Sequence, residues 1–156
     1  MALHDQDERR EVTYEAASAV LDAQRETLSE VDAKAVRTVR TTVVLLGVLL
    51  SAWQIESELF DPAFASAGSI ALLGSLVAGT FTYNESDLYL GPSKEYVEQL
   101  ADGDFGEDDW DQDLLYSFGT WIAENGAEIR FNSHLLSVTQ VLFVAGVVST
   151  GLAIAL

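Results

Sequence analysis

The chain of 156 residues has no cysteine, only two prolines and only two lysines among its eight basic residues. The absence of cysteine excludes a disulfide framework, a thiolate zinc site and a thiol nucleophile. The 25 acidic residues leave a net charge of −17, which excludes a nucleic-acid binder, because such proteins neutralise phosphates with Lys and Arg. The sequence has no glycine-rich phosphate loop, paired-histidine motif or nucleophile elbow. We therefore expect no enzymatic activity, no cofactor and no nucleic-acid partner.

Apolar residues nevertheless make up 49% of the chain, and they are segregated from the charges in three uncharged runs, at 41–55, 63–84 and 131–156. A helix rises about 1.5 Å per residue and the hydrocarbon core is about 30 Å thick, so the second and third runs are long enough to span it. The first run is short and needs Arg40 at one interface and Trp53 at the other. The runs predict transmembrane helices at 41–57, 63–84 and 131–156, with a buried core helix as the alternative for the first.

The basic residues predict the orientation of these helices. If the N-terminus is cytoplasmic, every basic residue lies on the cytoplasmic side, and the turn at 56–62 has neither Lys nor Arg. Cytoplasmic loops of membrane proteins are enriched in these two residues. We therefore expect a multi-pass protein of the cell membrane, embedded in the lipid bilayer, with its N-terminus in the cytoplasm and its C-terminus outside.

The charged segments at 1–40 and 85–130 predict cytoplasmic helices. The first has an apolar stripe at helical spacing, formed by Ala17, Leu21, Leu28, Val31 and Ala35. In the second, Ser93 can cap a short helix, and a helix that begins near Asp109 continues into the last span. The helix that begins near Asp109 also has an apolar stripe, which includes Leu114, Phe118 and Trp121. The two stripes pack against each other or against another copy. The predicted fold is all-α: an integral membrane protein with three transmembrane helices and cytoplasmic helical extensions that form a small bundle.

The acidity of the chain has two explanations. One is a surface that binds a basic partner, and the other is adaptation to concentrated salt, in which the Debye length falls to about 3 Å and self-repulsion is screened. The acidic residues are spread over all the charged segments, whereas a binding surface would be local. This spread favours a halophilic origin, and the composition is similar to that of haloarchaeal proteins.

Two charged groups near the membrane are candidate sites. The first is the basic collar, which consists of Lys34, Arg37 and Arg40. Two roles are open for it: to bind an anionic ligand or a lipid head group, or only to set the topology of the spans. Asp32, Glu85 and Asp87 can pair with the collar and lock the base of the helix hairpin. We expect no metal site, because the acidic residues around 102–109 do not match the spacing of a calcium loop.

Small residues in the spans predict close helix packing. Ala67, Ala71, Ser75 and Gly79 form a four-residue ladder on the second span, and Gly146 lies on the third span. The uncharged runs have no Asp, Glu, Lys or Arg, which transporters driven by buried charge place near the centre of the bilayer. The sequence therefore favours helix association over charge-driven transport.

The order of parts resembles known membrane modules. An amphipathic helix with Asp32 and Lys34 precedes two close spans, and a helical stretch with Tyr116, Trp121 and Ile122 leads to a final span. This layout is similar to that of a haloarchaeal multi-pass membrane family, and it resembles Pycsar-type and SLATT-type prokaryotic membrane effectors. The third span departs from the two-span SLATT pattern. The resemblance implies an antiviral effector that disrupts the membrane when a small nucleotide ligand or oligomerisation triggers it.

Three hypotheses remain open for the function. The first, which we favour, is a small non-enzymatic membrane protein of a halophilic prokaryote that forms a homo-oligomer through its helices, with its biological task left open. The second is the nucleotide-triggered effector. The third is a membrane-bound enzyme, which the absence of a catalytic constellation makes the weakest of the three.

Overall fold

The computed structural model describes residues 2–84, 88–89, 91–102 and 109–155. These residues form four α-helices and one short 3₁₀ helix at Ser57–Leu59, and none of them is in a strand. The α-helices are α1 (Ala2–Ile55), α2 (Pro62–Asn84), α3 (Lys94–Ala101) and α4 (Asp109–Ala155). The all-α prediction is confirmed. Helix α4 runs without a break from Asp109 into the last span, as predicted, and α1 is likewise continuous from Ala2 to Ile55.

Three of the described helices are long and apolar enough to cross a membrane. The segments that meet this test are Glu8–Ile55, Pro62–Tyr83 and Gln112–Ala155. They contain all of the uncharged run at 41–55 and all but the last residue of the runs at 63–84 and 131–156. The prediction of three helices able to span the bilayer is confirmed.

The start of α2 follows from local chemistry. Asp61 caps the helix, because its Oδ1 accepts hydrogen bonds from the backbone N–H groups of Ala63 (3.0 Å) and Phe64 (3.1 Å). Pro62 occupies the first helical position, where its missing N–H costs nothing. The Asp61 N–H also donates to the carbonyl of Ala153 at 2.8 Å, which ties the turn to the end of α4.

The short helix α3 has the predicted cap. The backbone N–H of Tyr96 donates to Oγ of Ser93 at 3.2 Å. Gly91, with φ of 152°, precedes Pro92 and supplies a backbone conformation that other residues rarely adopt. Together Gly91 and Pro92 separate α3 from the segment that follows α2, as the Gly-Pro pair in the sequence predicts.

The chain divides into two compact units, each with one part of α1 and one part of α4. The first unit contains the described residues of 1–27 and 87–129, and the second contains those of 28–86 and 130–156. In the first unit, Leu21 of α1 is buried with Leu114 and Phe118 of α4. The two predicted stripes therefore pack against each other within one chain, which is one of the two alternatives left open by the sequence.

The second unit is a packed set of three helices. The buried residues of α2 recur at alternating spacings of three and four, which is the pattern of a helix that faces others along one seam. Those of α4 follow the same rule with gaps. The buried positions are Ala65, Gly68, Leu72, Ser75, Gly79 and Thr82 on α2 and Asn132, Leu136, Thr139, Gly146 and Ala153 on α4.

Candidate functional site

Helices α2 and α4 of the second unit approach each other closely at Gly68 and Gly146. A Cβ atom on Gly68 would lie 2.6 Å from Thr150 Oγ1 and 3.1 Å from the Gly146 carbonyl oxygen. A Cβ atom on Gly146 would lie 2.6 Å from Leu72 Cγ and 3.1 Å from the Gly68 carbonyl oxygen. Only glycine fits at either position without moving a helix, which is how small residues bring helices together in membranes.

The predicted ladder is only partly used for this packing. Ser75 and Gly79 are buried inside the unit, Ala71 is half-buried and Ala67 is exposed. Gly146 is buried, as described above. The sequence argument missed Gly68, because it counted in steps of four from Ala67. The alternating steps of three and four that a packed helix seam requires would have found it.

Among the described residues of the second unit, four of the five buried polar side chains carry a hydroxyl group, and the fifth is Asn132. Ser75 Oγ donates to the Thr139 carbonyl at 2.9 Å and so links α2 to α4. The buried threonines 42, 82 and 139 each donate to the carbonyl four residues earlier in their own helix. These hydroxyls are therefore satisfied within the protein, as buried polar groups must be in an apolar environment. They are structural groups with no free nucleophile among them.

The turn between α1 and α2 is packed by aromatic and aliphatic side chains. Trp53 and Phe60 stack with ring centroids 5.8 Å apart. Phe60 is buried with Leu49, Ala65 and Ala153. A cavity of about 150 Å³ beside them has an apolar lining from all three helices of the unit, including Leu45, Leu72 and Val147. Its walls suit a hydrocarbon chain and offer no acid or base.

The basic collar lies on the exposed side of α1. Lys34, Arg37 and Arg40 are all exposed, and Lys34 Nζ pairs with Glu30 Oε2 at 3.1 Å on its own helix. Over the described ranges, no ion pair involves Arg37 or Arg40. Asp32 is half-buried. Glu85 and Asp87 lie outside the described residues, so their predicted pairing at the hairpin base stays a prediction.

The first unit has its own polar contacts. Asn125, which is 2% exposed, accepts a hydrogen bond from the Tyr89 N–H at its Oδ1 and donates one to the Tyr89 carbonyl from its Nδ2, both at 2.9 Å. These bonds fasten the segment before α3 to α4. Gln24 Nε2 donates to the Ile122 carbonyl at 2.9 Å and links α1 to α4.

Tyr96 of α3 is a titratable group with a shifted pKa. Burial raises the pKa of Tyr96 above its usual value of 10.0, and the negative charge of Asp113 on α4 and a hydrogen bond to that carboxylate raise it further. Its hydroxyl is therefore protonated at neutral pH and lies near the Asp113 carboxylate. This pair is a structural contact between two helices, because a proton held so firmly is unsuited to acid–base catalysis at neutral pH.

Neither metal-binding groups nor known relatives point to a further functional site. Within the described part of the chain, no group of three or more His, Cys, Asp or Glu residues is placed to hold a metal ion. Comparisons with protein-family models, with curated proteins and with solved structures found no match to this chain.

Proposed function

We propose that the chain is a small, non-enzymatic membrane protein with three spans that self-associates through the helices of its first unit. One observation carries the proposal: an uncharged row of side chains runs along the exposed side of α1. This row, the α1 row, consists of Val12, Ala16, Val20, Ala23 and Thr27, all of them exposed. Val12 is 60% exposed and Val20 is 41% exposed.

The α1 row has the features of a helix-packing surface. Its residues are spaced by three or four, so they share one face of the helix, which differs from the face of the buried Leu21. The surrounding segment holds both acidic and basic residues, so it belongs in water, where an exposed apolar row favours burial. The alanines let a second helix approach closely.

A second copy of this chain is the partner that fits the α1 row best. Proteins inserted in one membrane share one orientation, so two copies related by a two-fold axis along the membrane normal would place their α1 rows face to face. The contact would be parallel and self-complementary, as in a two-stranded coiled coil. The acidic residues that flank the row repel one another in dilute buffer, and concentrated salt screens that repulsion.

The distribution of charged residues supports an orientation in the membrane and a halophilic origin for this protein. We place the N-terminus in the cytoplasm and the C-terminus outside, because this arrangement puts all eight basic residues on the cytoplasmic side. We assign the protein to a halophilic prokaryote, in keeping with a haloarchaeal composition, because the acidic residues are spread over every charged segment. The nucleotide-triggered effector stays an alternative that rests on the resemblance in layout.

Disulfide cross-linking of single-cysteine variants in native-like membranes at high salt tests the proposal, and the cysteine-free chain gives a clean background. Ala23→Cys lies in the α1 row, whereas the neighbouring Asp22→Cys is equally exposed and points about 100° away around the helix. We expect oxidation to give a cross-linked dimer of Ala23→Cys and little of Asp22→Cys. Equal cross-linking of the two variants, or none at Ala23, would contradict association through this row.

A further inference from the structure

Arg37 and Arg40 of the basic collar lie less than one thickness of the hydrocarbon core from the end of α1 at Ile55. Ile55 ends α1, and along the helix axis Arg40 is about 22 Å from it, Arg37 about 27 Å and Lys34 about 32 Å. The hydrocarbon core is about 30 Å thick. If Ile55 marks one face of the core, the backbone of Arg37 and Arg40 lies inside the opposite face. Their long side chains can extend from there to the head-group region.

The packing of the second unit also shows, independently of any membrane, that the collar begins beside uncharged parts of the neighbouring helices. A Cβ atom on Gly79 would lie 2.6 Å from Val39 Cγ2 and 3.1 Å from Thr139 Cγ2, so these three residues are at one level of the bundle. Beyond this level, toward the collar, α2 stays uncharged for about 8 Å to Asn84, and α4 for about 12 Å to Phe131. Arg37 therefore lies beside uncharged stretches of both neighbouring helices.

Aromatic residues mark the same stretch as an interface. Phe81 and Tyr83 near the end of α2 are 54% and 39% exposed, and Phe131 of α4 is 56% exposed. Tyrosine, whose ring is amphipathic, concentrates at the level of the lipid head groups, so Tyr83 is the residue that marks this level, while the two phenylalanines only add apolar surface. With Ile55 at one face of the core, the guanidinium groups of Arg37 and Arg40 would lie near the depth of the lipid phosphates.

At this depth the two arginines are stabilised by an anion, which is either a carboxylate, such as the predicted partners Glu85 and Asp87, or a phosphate. Lys34 already pairs with Glu30, whereas over the described residues Arg37 and Arg40 have no carboxylate partner. A guanidinium group at the edge of the hydrocarbon is stabilised by a negative partner, and its planar fork matches a phosphate with two parallel hydrogen bonds. We propose that Arg37 and Arg40 bind the phosphate of an anionic phospholipid and thereby fix the depth of α1 in the bilayer. This inference requires insertion of the protein but not its self-association.

Electron spin resonance of the full chain in phosphatidylcholine vesicles, with either spin-labelled phosphatidylglycerol or spin-labelled phosphatidylcholine, tests the site at about 0.1 M salt. We expect the wild type to prefer phosphatidylglycerol. The double variant Arg37→Gln/Arg40→Gln should lower that preference by roughly five-fold for each arginine lost, because each basic residue near the surface contributes about that factor. The matched control Arg25→Gln/Lys94→Gln removes the same charge from two other exposed residues and should keep the preference.

Two further arms separate the alternatives. An equal loss of preference in the control variant would show that net charge alone selects the lipid, and it would overturn the site. Loss of the preference in the wild type on adding inorganic phosphate would assign the site to the free ion and overturn the lipid. Should the glutamine variant fail to insert, Arg37→Lys/Arg40→Lys keeps the positive charges. We expect that variant to show a weaker preference than the wild type, because lysine lacks the planar fork, and an unchanged preference would refute a phosphate held by the arginine fork.

Discussion

At the scale of single residues, two kinds of glycine are found in the spans, and only one kind can be substituted freely. Gly68 and Gly146 lie against backbone atoms of the opposite helix, whereas a Cβ atom on Gly151 would meet nothing within 4 Å. Gly79 is enclosed as well, against Val39 and Thr139. A large residue at position 79 would therefore disturb the fold of a single chain, and it is a poor probe of association between copies.

The substitution Gly68→Ala should destabilise the protein, because its methyl group would lie too close to Thr150 and to the Gly146 carbonyl. We expect a loss of about 1–3 kcal/mol in the free energy of unfolding, typical of overpacking a core. Thermal unfolding in detergent micelles measures it. Gly151→Ala on α4 is the matched control and should leave the stability unchanged or slightly higher, since alanine favours a helix more than glycine does. Equal stability of the two variants would contradict the close contact.

At the scale of helices, the contact between Tyr96 of α3 and Asp113 of α4 favours the protonated form of the tyrosine. Because the folded chain holds the pKa of Tyr96 above the unfolded value of 10.0, its contribution to stability is complete below pH 10 and is lost as the pH rises through the folded pKa. Urea unfolding of the wild type between about pH 8 and pH 11 should therefore show stability falling above pH 10. Tyr96→Phe should remove most of that decline, whereas Tyr116→Phe, which alters an exposed hydroxyl on α4, should leave it as in the wild type. A decline that persists in full in Tyr96→Phe would assign it to another group.

The elements themselves were predictable because they depend on local patterns. The uncharged runs, the stripe from Ala17 to Ala35 and the capping residue Ser93 are all read from neighbouring positions, and α1, α3 and α4 form as expected. The pairing of Gly68 with Gly146 and the level of Val39 beside Gly79 join residues that are distant in sequence. Such contacts depend on how the helices pack, and spacing within one helix does not determine it. For this reason the sequence did not predict that Arg37 lies beside uncharged stretches of α2 and α4.

At the scale of the whole molecule, the charge distribution predicts which side of the membrane each end faces. Ser57 in the turn and Ala19 on α1 are both exposed, so cysteine at either position is open to a reagent. In intact cells, a membrane-impermeant maleimide should label Ser57→Cys and leave Ala19→Cys unlabelled until the cells are lysed. The reason is that the orientation with all basic residues in the cytoplasm places the turn outside and the start of α1 inside. Labelling of Ala19→Cys alone would show the opposite orientation, and labelling of both positions would show a mixed one.

The net charge of −17 predicts that the proposed association between copies depends on salt. Two chains in contact through the α1 row bring acidic residues close together, and the range of their repulsion falls from about 10 Å at 0.1 M salt to about 3 Å at 1 M. The burial of Val12 and Val20 does not depend on that screening. We therefore expect the cross-linked fraction of Ala23→Cys to rise with KCl over this range, while that of Asp22→Cys stays low. A fraction that falls as salt is added would mean that ion pairs hold the copies together, and the apolar row would then not be their interface.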